Sequence, residues 1–120
     1  MSLKPSLIKF ESYSSMNGIL SVYESGKGVP FNISRVFSVS AGINQLRGKH
    51  AHKKCTQILI CITGALEVEC DDGKIKQNFK LEQSNVGLVI PPTIWATQRY
   101  LVENSVLLAL CDMKFDETDY

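Results

Sequence analysis

Gln57-Ile58-Leu59-Ile60-Cys61-Ile62-Thr63-Gly64-Ala65-Leu66-Glu67-Val68-Glu69-Cys70-Asp71-Asp72-Gly73 decides the fold class. Residues 57–63 form an apolar, β-branched run of strand length, and after Gly64 the side chains alternate apolar and acidic, the period of a half-buried strand. Asp71-Asp72-Gly73 then marks a tight hairpin, because Asp-Gly tolerates the positive φ that such turns demand. The same pattern continues outward in both directions. Strands are expected over 19–23, 35–39, 49–52, 57–63, 65–70, 74–81, 86–90, 94–100 and 105–111. Pro91-Pro92 stops the run ending at Ile90, since proline cannot donate to a ladder. No 3.6-residue apolar stripe long enough for a helix interrupts these runs. A chain with no helix to cover a sheet face folds the sheet onto itself, so an all-β barrel or jelly roll is expected. Runs 57–63 and 106–111 are apolar on both faces, and a second subunit is expected to cover the outer one.

With 120 residues, 44% of them hydrophobic, one domain over 1–120 can bury a core without a metal or disulfide staple. Met1-Ser2-Leu3 read as partly foreign to the natural chain and are assigned no role. Lys and Arg number 13 against 12 Asp and Glu, which argues against a nucleic-acid partner. One diphosphate needs only a few donors, and Arg35, Arg47, Lys49, Lys53 and Lys54 could supply them. Cys55, Cys61, Cys70 and Cys111 form no C-x-x-C pair and sit in or beside apolar runs, as reduced core residues of a cytoplasmic protein do. No stretch approaches the roughly 18 apolar residues of a membrane helix, and no signal pattern opens the chain, so neither membrane insertion nor export is expected.

Upstream of the opening stretch lies Arg47-Gly48-Lys49-His50-Ala51-His52-Lys53-Lys54-Cys55-Thr56, which holds both histidines of the chain. On a regular strand, residues two apart share a face at about 6.6 Å, so His50 and His52 are expected to project together. The plainer alternative is that they are surface or core histidines serving only a hydrogen bond.

His50-x-His52, four residues, Gln57, six residues, Gly64 is similar to the first cupin motif, in which glutamate usually stands where this chain has Gln57. Gly87-Leu88-Val89-Ile90-Pro91-Pro92-Thr93-Ile94-Trp95 echoes the second, but the third histidine of a metal cupin, expected near Trp95 or Ala96, is missing. Two imidazoles and a neutral amide make a poor site for iron, manganese or zinc, so neither a catalytic metal nor a cofactor is expected. On a regular strand Cys55 would face away from His52.

Taken with the Asp-Asp-Gly hairpin and the ending Phe115-Asp116-Glu117-Thr118-Asp119-Tyr120, these motifs resemble the metal-free sugar-nucleotide 3,4-ketoisomerases over roughly 33–120. The resemblance implies a single-domain, RmlC-like cupin β-barrel that converts TDP-4-keto-6-deoxyglucose to a TDP-3-keto-6-deoxyhexose. That product serves dideoxyamino-sugar and surface-glycan biosynthesis. It further implies a homodimer exchanging an N-terminal strand, here Ile19–Tyr23. The family's Arg-Gly is replaced by Asn17-Gly18, and its tyrosine by Phe37 or Ser38.

Such a reaction removes the C3 proton, passes through an enediol and returns a proton to C4. Neutral imidazoles suit both steps, and His50 and His52 are assigned them jointly. Arg47 and Arg35 are candidate diphosphate ligands, with solvated surface arginines as the alternative. Gln57 either binds a sugar hydroxyl, orients an imidazole or is an ordinary strand amide, and Trp95 either stacks on the sugar or base or packs in the core. Two other readings stay open: a sugar-nucleotide 3,5-epimerase, which usually needs a tyrosine acid and a His-Asp pair, neither evident in the sequence, and a non-catalytic sugar-binding cupin.

Overall fold

The computed structural model describes residues 4–120; Met1-Ser2-Leu3 lie outside the described residues. The elements run β1 (Ser6–Lys9), β2 (Ser12–Ser15), β3 (Gly18–Ser21), β4 (Glu24–Ser25), β5 (Gly28–Val29), β6 (Arg35–Ala41), β7 (Leu46–His50), β8 (Gln57–Thr63), β9 (Leu66–Asp71), β10 (Lys76–Leu81), β11 (Val86–Ile90), β12 (Trp95–Tyr100) and β13 (Ser105–Cys111), with a 3₁₀ turn at Glu117–Asp119. Two antiparallel sheets face each other, ordered β1-β11-β8-β13-β6 and β10-β9-β12-β7. This is the all-β cupin jelly roll expected from the sequence.

The alternation read from the sequence decides what each sheet buries. Leu66, Val68 and Cys70 of β9 point inward against Leu59, Leu88 and Leu107 of the facing sheet, and all are buried. Fully burying one such leucine or valine side chain favours folding by roughly 1.5–3 kcal/mol, so this interior is the main stabilising mass of the fold. The outer faces of β8 and β13 are covered differently from the expectation. Phe10, Tyr23, Val29, Phe31 and Ile33 of the same chain pack over Ile58, Ile60, Leu108 and Leu110. The apolar second face therefore has its cover within the chain, and a second subunit is not required for it.

At the corner between β8 and β9, Gly64 has φ +87°, and a Cβ there would stand 2.3 Å from Ser105 Oγ. Only glycine fits, which lets Ser105 Oγ accept from Ala65 N at 3.2 Å and donate to Val102 O at 2.8 Å. The sheet edges β6 and β7, joined at this same end by residues 42–45, run to the other end of the barrel, where they carry Arg35 and His50. The inward side chains of β6 stay only partly buried, whereas those of β8 and β13 are fully buried. The barrel mouth opens there.

Candidate active site

Strand register assembles the walls of this mouth. Gln57, Cys111 and Arg35 stand in one cross-strand row on the inner face of the first sheet. On the facing sheet Ala96 pairs with His50, and Gln98 with Arg47. Ala96, Gln98 and Tyr100 are buried, so the side of β7 that carries His50 and Arg47 is the inner one. Gln57 is 6% exposed and donates from Nε2 to Cys111 Sγ at 3.5 Å. Arg35 lies between two rings, its guanidinium carbon 4.7 Å from the Phe37 centroid and 4.9 Å from that of Phe115. Trp95 corrects an expectation: it precedes inward-facing Ala96 on β12, points to the opposite side of the sheet and is 46% exposed. It neither lines the site nor packs in the core.

The histidines meet, but not as strand neighbours. The strand expected over 49–52 runs over Leu46–His50 instead, and Ala96 pairs with His50 while Thr97 pairs with Gly48, leaving Lys49 as a bulge residue. Gly48 and Lys49 both adopt positive φ, +86° and +57°. A Cβ on Gly48 would come within 3.1 Å of Ala96 O. His52 thus lies beyond the strand, in the turn that follows. There the imidazoles pack edge to face, centroids 5.1 Å apart at 90°.

His52 is 9% exposed and held from three directions. Its Nδ1 lies 2.9 Å from Asp119 Oδ2, its carbonyl accepts from Thr93 N at 2.6 Å, and the next residue, Lys53, donates its N–H to Asp119 O at 2.6 Å. Pro91-Pro92 thereby does more than end β11, since it turns the chain so that Thr93 faces His52. Asp119 also accepts from Lys54 N at 2.7 Å and Cys55 N at 3.3 Å. Burial opposes its ionisation, but the hydrogen bond from His52 and those from the Lys54 and Cys55 amides prevail and hold its pKa below the usual aspartate value. These contacts are therefore fully present above the ordinary aspartate range and are lost only as pH falls through the lowered value.

An ionised carboxylate accepts only, so Nδ1 of His52 donates to Asp119, and in the neutral ring this tautomer leaves the lone pair on Nε2. That Nε2 is buried with no hydrogen-bond partner. His50 has the same tautomer, because its Nδ1 lies 3.0 Å from Gly48 O. Burial lowers the His50 pKa, the Gly48 carbonyl opposes this and nearby His52 adds to it, so the ring is neutral at physiological pH. Tyr120 completes the cluster, its centroid 4.6 Å from His52 and 5.0 Å from His50.

Asp119 and Tyr120 are the site residues that reading single positions does not pick out. Asp119 arrives from 67 residues beyond His52 with Tyr120 directly after it, and their one signal is the Asp-Glu-Thr-Asp-Tyr ending. A His-Asp pair is therefore present, contrary to the expectation. Cys55, expected to face away, comes close as well: ligating atoms of His52, Cys55 and Asp119 lie within 4.8 Å of one another. Both Asp119 oxygens are committed to N–H donors, however, so this donor set is built as a hydrogen-bonded dyad and not as a cupin metal centre. Cys55 Sγ donates to Thr56 O at 3.4 Å. The neighbouring Cys111 thiol and burial push the Cys55 thiol up, while Cys111 is lowered by Cys55, against burial and helped by Gln57 and Arg35. All four cysteines are buried free thiols. The hollow of about 440 Å³ along the β2–β3 hairpin, lined by Tyr13, Asn17 and Ile19, is open surface remote from this chemistry.

Residues 3–120 match the family described as FdtA: WxcM-like, C-terminal. TDP-4-oxo-6-deoxy-alpha-D-glucose-3,4-oxoisomerase of Aneurinibacillus thermoaerophilus is 36% identical over 115 residues, covering 95% of this chain and 83% of that protein. The crystal structure of QdtA, a sugar 3,4-ketoisomerase from Thermoanaerobacterium thermosaccharolyticum in complex with TDP, superposes with a TM-score of 0.93 at 33% identity, over 99% of this chain and 88% of that one. A histidine-to-asparagine variant of QdtA in complex with TDP-4-keto-6-deoxyglucose gives 0.94 at 32% identity, over 99% and 87%. With a cupin barrel, a paired-histidine mouth and a match over nearly its whole length, this chain belongs to the FdtA family.

Proposed function

We propose that this chain, one cupin domain over residues 1–120, is a sugar-nucleotide 3,4-ketoisomerase converting TDP-4-keto-6-deoxyglucose to a TDP-3-keto-6-deoxyhexose. The observation that carries the reading is the pair of imidazoles with both Nδ1 atoms engaged, which leaves a lone pair on each Nε2 at one barrel mouth. The ketoisomerase relatives support the substrate class, and the QdtA histidine variant bound to its keto sugar supports a histidine role.

In this mechanism His52 Nε2 takes the C3 proton, and the electron pair left behind forms the C3–C4 double bond of an enediolate whose charge sits on O4. Asp119 faces the opposite edge of the ring as it becomes charged. Neutral His50 passes a proton from O3 to O4, and His52 returns its proton to C4, leaving the carbonyl at C3. The proton held on His52 exchanges with solvent between the two steps, and the keto shift involves no net oxidation or reduction, so no redox cofactor enters. Arg35 and Arg47, on the two walls, grip the diphosphate, and Gln57 on the floor positions Cys111 and a sugar hydroxyl.

The His52–Asp119 pair and neighbouring Tyr120 are also features a 3,5-epimerase uses, and a single assay separates the readings. The protein is mixed with TDP-4-keto-6-deoxyglucose in deuterium oxide and followed by NMR. The expected product is a 3-keto sugar with deuterium at C4, formed equally after exhaustive chelation. Deuterium at C3 and C5 in an unshifted 4-keto sugar would mean epimerisation, and tight binding without exchange a non-catalytic cupin. Activity abolished by chelation and restored by a metal would overturn the metal-free reading.

The reading includes a homodimer working in the cytoplasm, where the buried free cysteines stay reduced. The β2–β3 hairpin supports the dimer, since Tyr13, Met16, Ile19 and Leu20 are all exposed on it and Met16 is 103% exposed. Only part of the segment expected to exchange is available, because Tyr23 packs edge-on against Phe10 of its own chain, centroids 5.0 Å apart. Light scattering at micromolar concentration is expected to give twice the chain mass, and Leu20→Lys to shift it toward the monomer. A wild-type monomer would remove this part of the reading. Among the described residues no helix is long and apolar enough to cross a membrane.

A further inference from the structure

The nitrogen that the mechanism uses as base is covered. His52 Nε2 is buried and without a hydrogen-bond partner, and the ring packed tilted against its imidazole is that of Tyr120, 4.6 Å away at 44°. The same ring meets His50 edge to face at 5.0 Å and 86°. A base that takes a carbon-bound proton must touch that carbon's hydrogen, which it cannot do through a tyrosine ring.

We propose that Tyr120 is the gate of this site: its ring occupies the place the sugar takes and turns out toward solvent as substrate enters. The inference rests on the assignment of His52 as the base. Three features make the motion local. The segment is pinned just before the gate, where Asp116 Oδ1 accepts from Thr118 N and Oγ1, and Asp119 holds His52 and the backbone of residues 53–55. Among the described residues no hydrogen bond holds the Tyr120 side chain, and it is 44% exposed, so rotation about its own side-chain torsions leads outward and leaves the His52–Asp119 pair intact. Phe115, at the other end of the segment, stacks on Arg35 and lies 6.3 Å from the Tyr120 ring.

One short segment thus covers both halves of the site, the arginine for the diphosphate and the imidazoles for the sugar. A ligand with both groups has cause to displace both rings, whereas a free sugar meets only the closed gate. The empty imidazoles are meanwhile shielded from water and from electrophiles.

The test needs no substrate. Diethyl pyrocarbonate acylates the lone-pair nitrogen of neutral imidazole, and its attack on His52 can be followed by peptide mass spectrometry. His52 is expected to react at least about tenfold faster in Tyr120→Ala than in the wild type, as for a cover open less than about a tenth of the time. Tyr120→Phe, which keeps the ring, is expected to stay slow. Equal His52 rates in the wild type and Tyr120→Ala, or a Tyr120→Phe as fast as Tyr120→Ala, would overturn the gate. Should Tyr120→Ala not fold, wild-type His52 is compared with N-acetylhistidine, where a rate at least about tenfold lower supports the gate and an equal rate overturns it. If the base assignment alone is wrong, the labelling pattern stands while His52→Asn still isomerises the sugar. If the gate alone is wrong, labelling is flat and His52→Asn is inactive.

Discussion

His52→Asn is expected to lower turnover by about 10²- to 10⁴-fold, the range for losing a positioned general base, with nucleotide-sugar binding largely kept. Asparagine approximates the size of the inner part of the ring and can still hydrogen-bond Asp119, but it has no nitrogen that accepts a proton near neutral pH. His50→Asn is expected to cost less, toward the lower end of that range, because its role lies on the sugar oxygens and water can substitute in part. The measurement is single-turnover kinetics combined with deuterium uptake at C3 and C4. Wild-type uptake in His52→Asn would show that neither hydrogen passes through this ring and would reduce the histidine to a recognition group.

Asp119→Asn is the second large effect. The carboxylate accepts from three donors at once, Nδ1 of His52 and the amides of Lys54 and Cys55. A carboxamide has only one acceptor oxygen, and its NH₂ placed toward the imidazole favours the opposite tautomer, with the proton on Nε2 where the lone pair is required. Turnover is expected to fall by about a hundredfold or more with KM little changed. The ¹⁵N spectrum of His52 is expected to move from the Nδ1–H pattern toward Nε2–H, which mere loosening of the segment would not produce. Asp119→Glu should restore part of both. An unchanged tautomer with unchanged kcat would remove Asp119 from the chemistry.

How far the sequence anticipates this site depends on the range of the contacts. Strands 57–63, 86–90 and 105–111 appear with the boundaries read from their apolar runs, because those runs are buried and bounded by glycine, proline or asparagine. The strands Ser6–Lys9 and Ser12–Ser15 escape notice, being short, rich in serine or lysine and largely exposed, with no apolar period to betray them. Trp95 is misjudged because composition reveals that a residue is aromatic and not which sheet face it takes. The histidine pair is found for a partly wrong reason: spacing suggests a shared strand face, whereas two positive-φ residues and a turn bring the rings together. Asp119 is out of reach of any local rule, since nothing within a few residues of His52 says which distant carboxylate will dock on it.

The left-handed step at Gly48 and Lys49 has a further bearing on how such sites can be found and built. The spacing of the two rings is stored in the main chain, so most surrounding side chains can vary while the pair stays in place. The same fact makes the His-x-His motif a poor unit to transplant: set on an ordinary strand, it would splay the rings to about 6.6 Å and leave the second without its carboxylate. The portable unit is larger and discontinuous. It comprises the step, the turn that follows, the Pro-Pro corner that supports His52 and the acidic residue that returns to close it. A search keyed to two histidines alone will gather many chance pairs, whereas one that also asks for the glycine and the returning aspartate describes this arrangement in full.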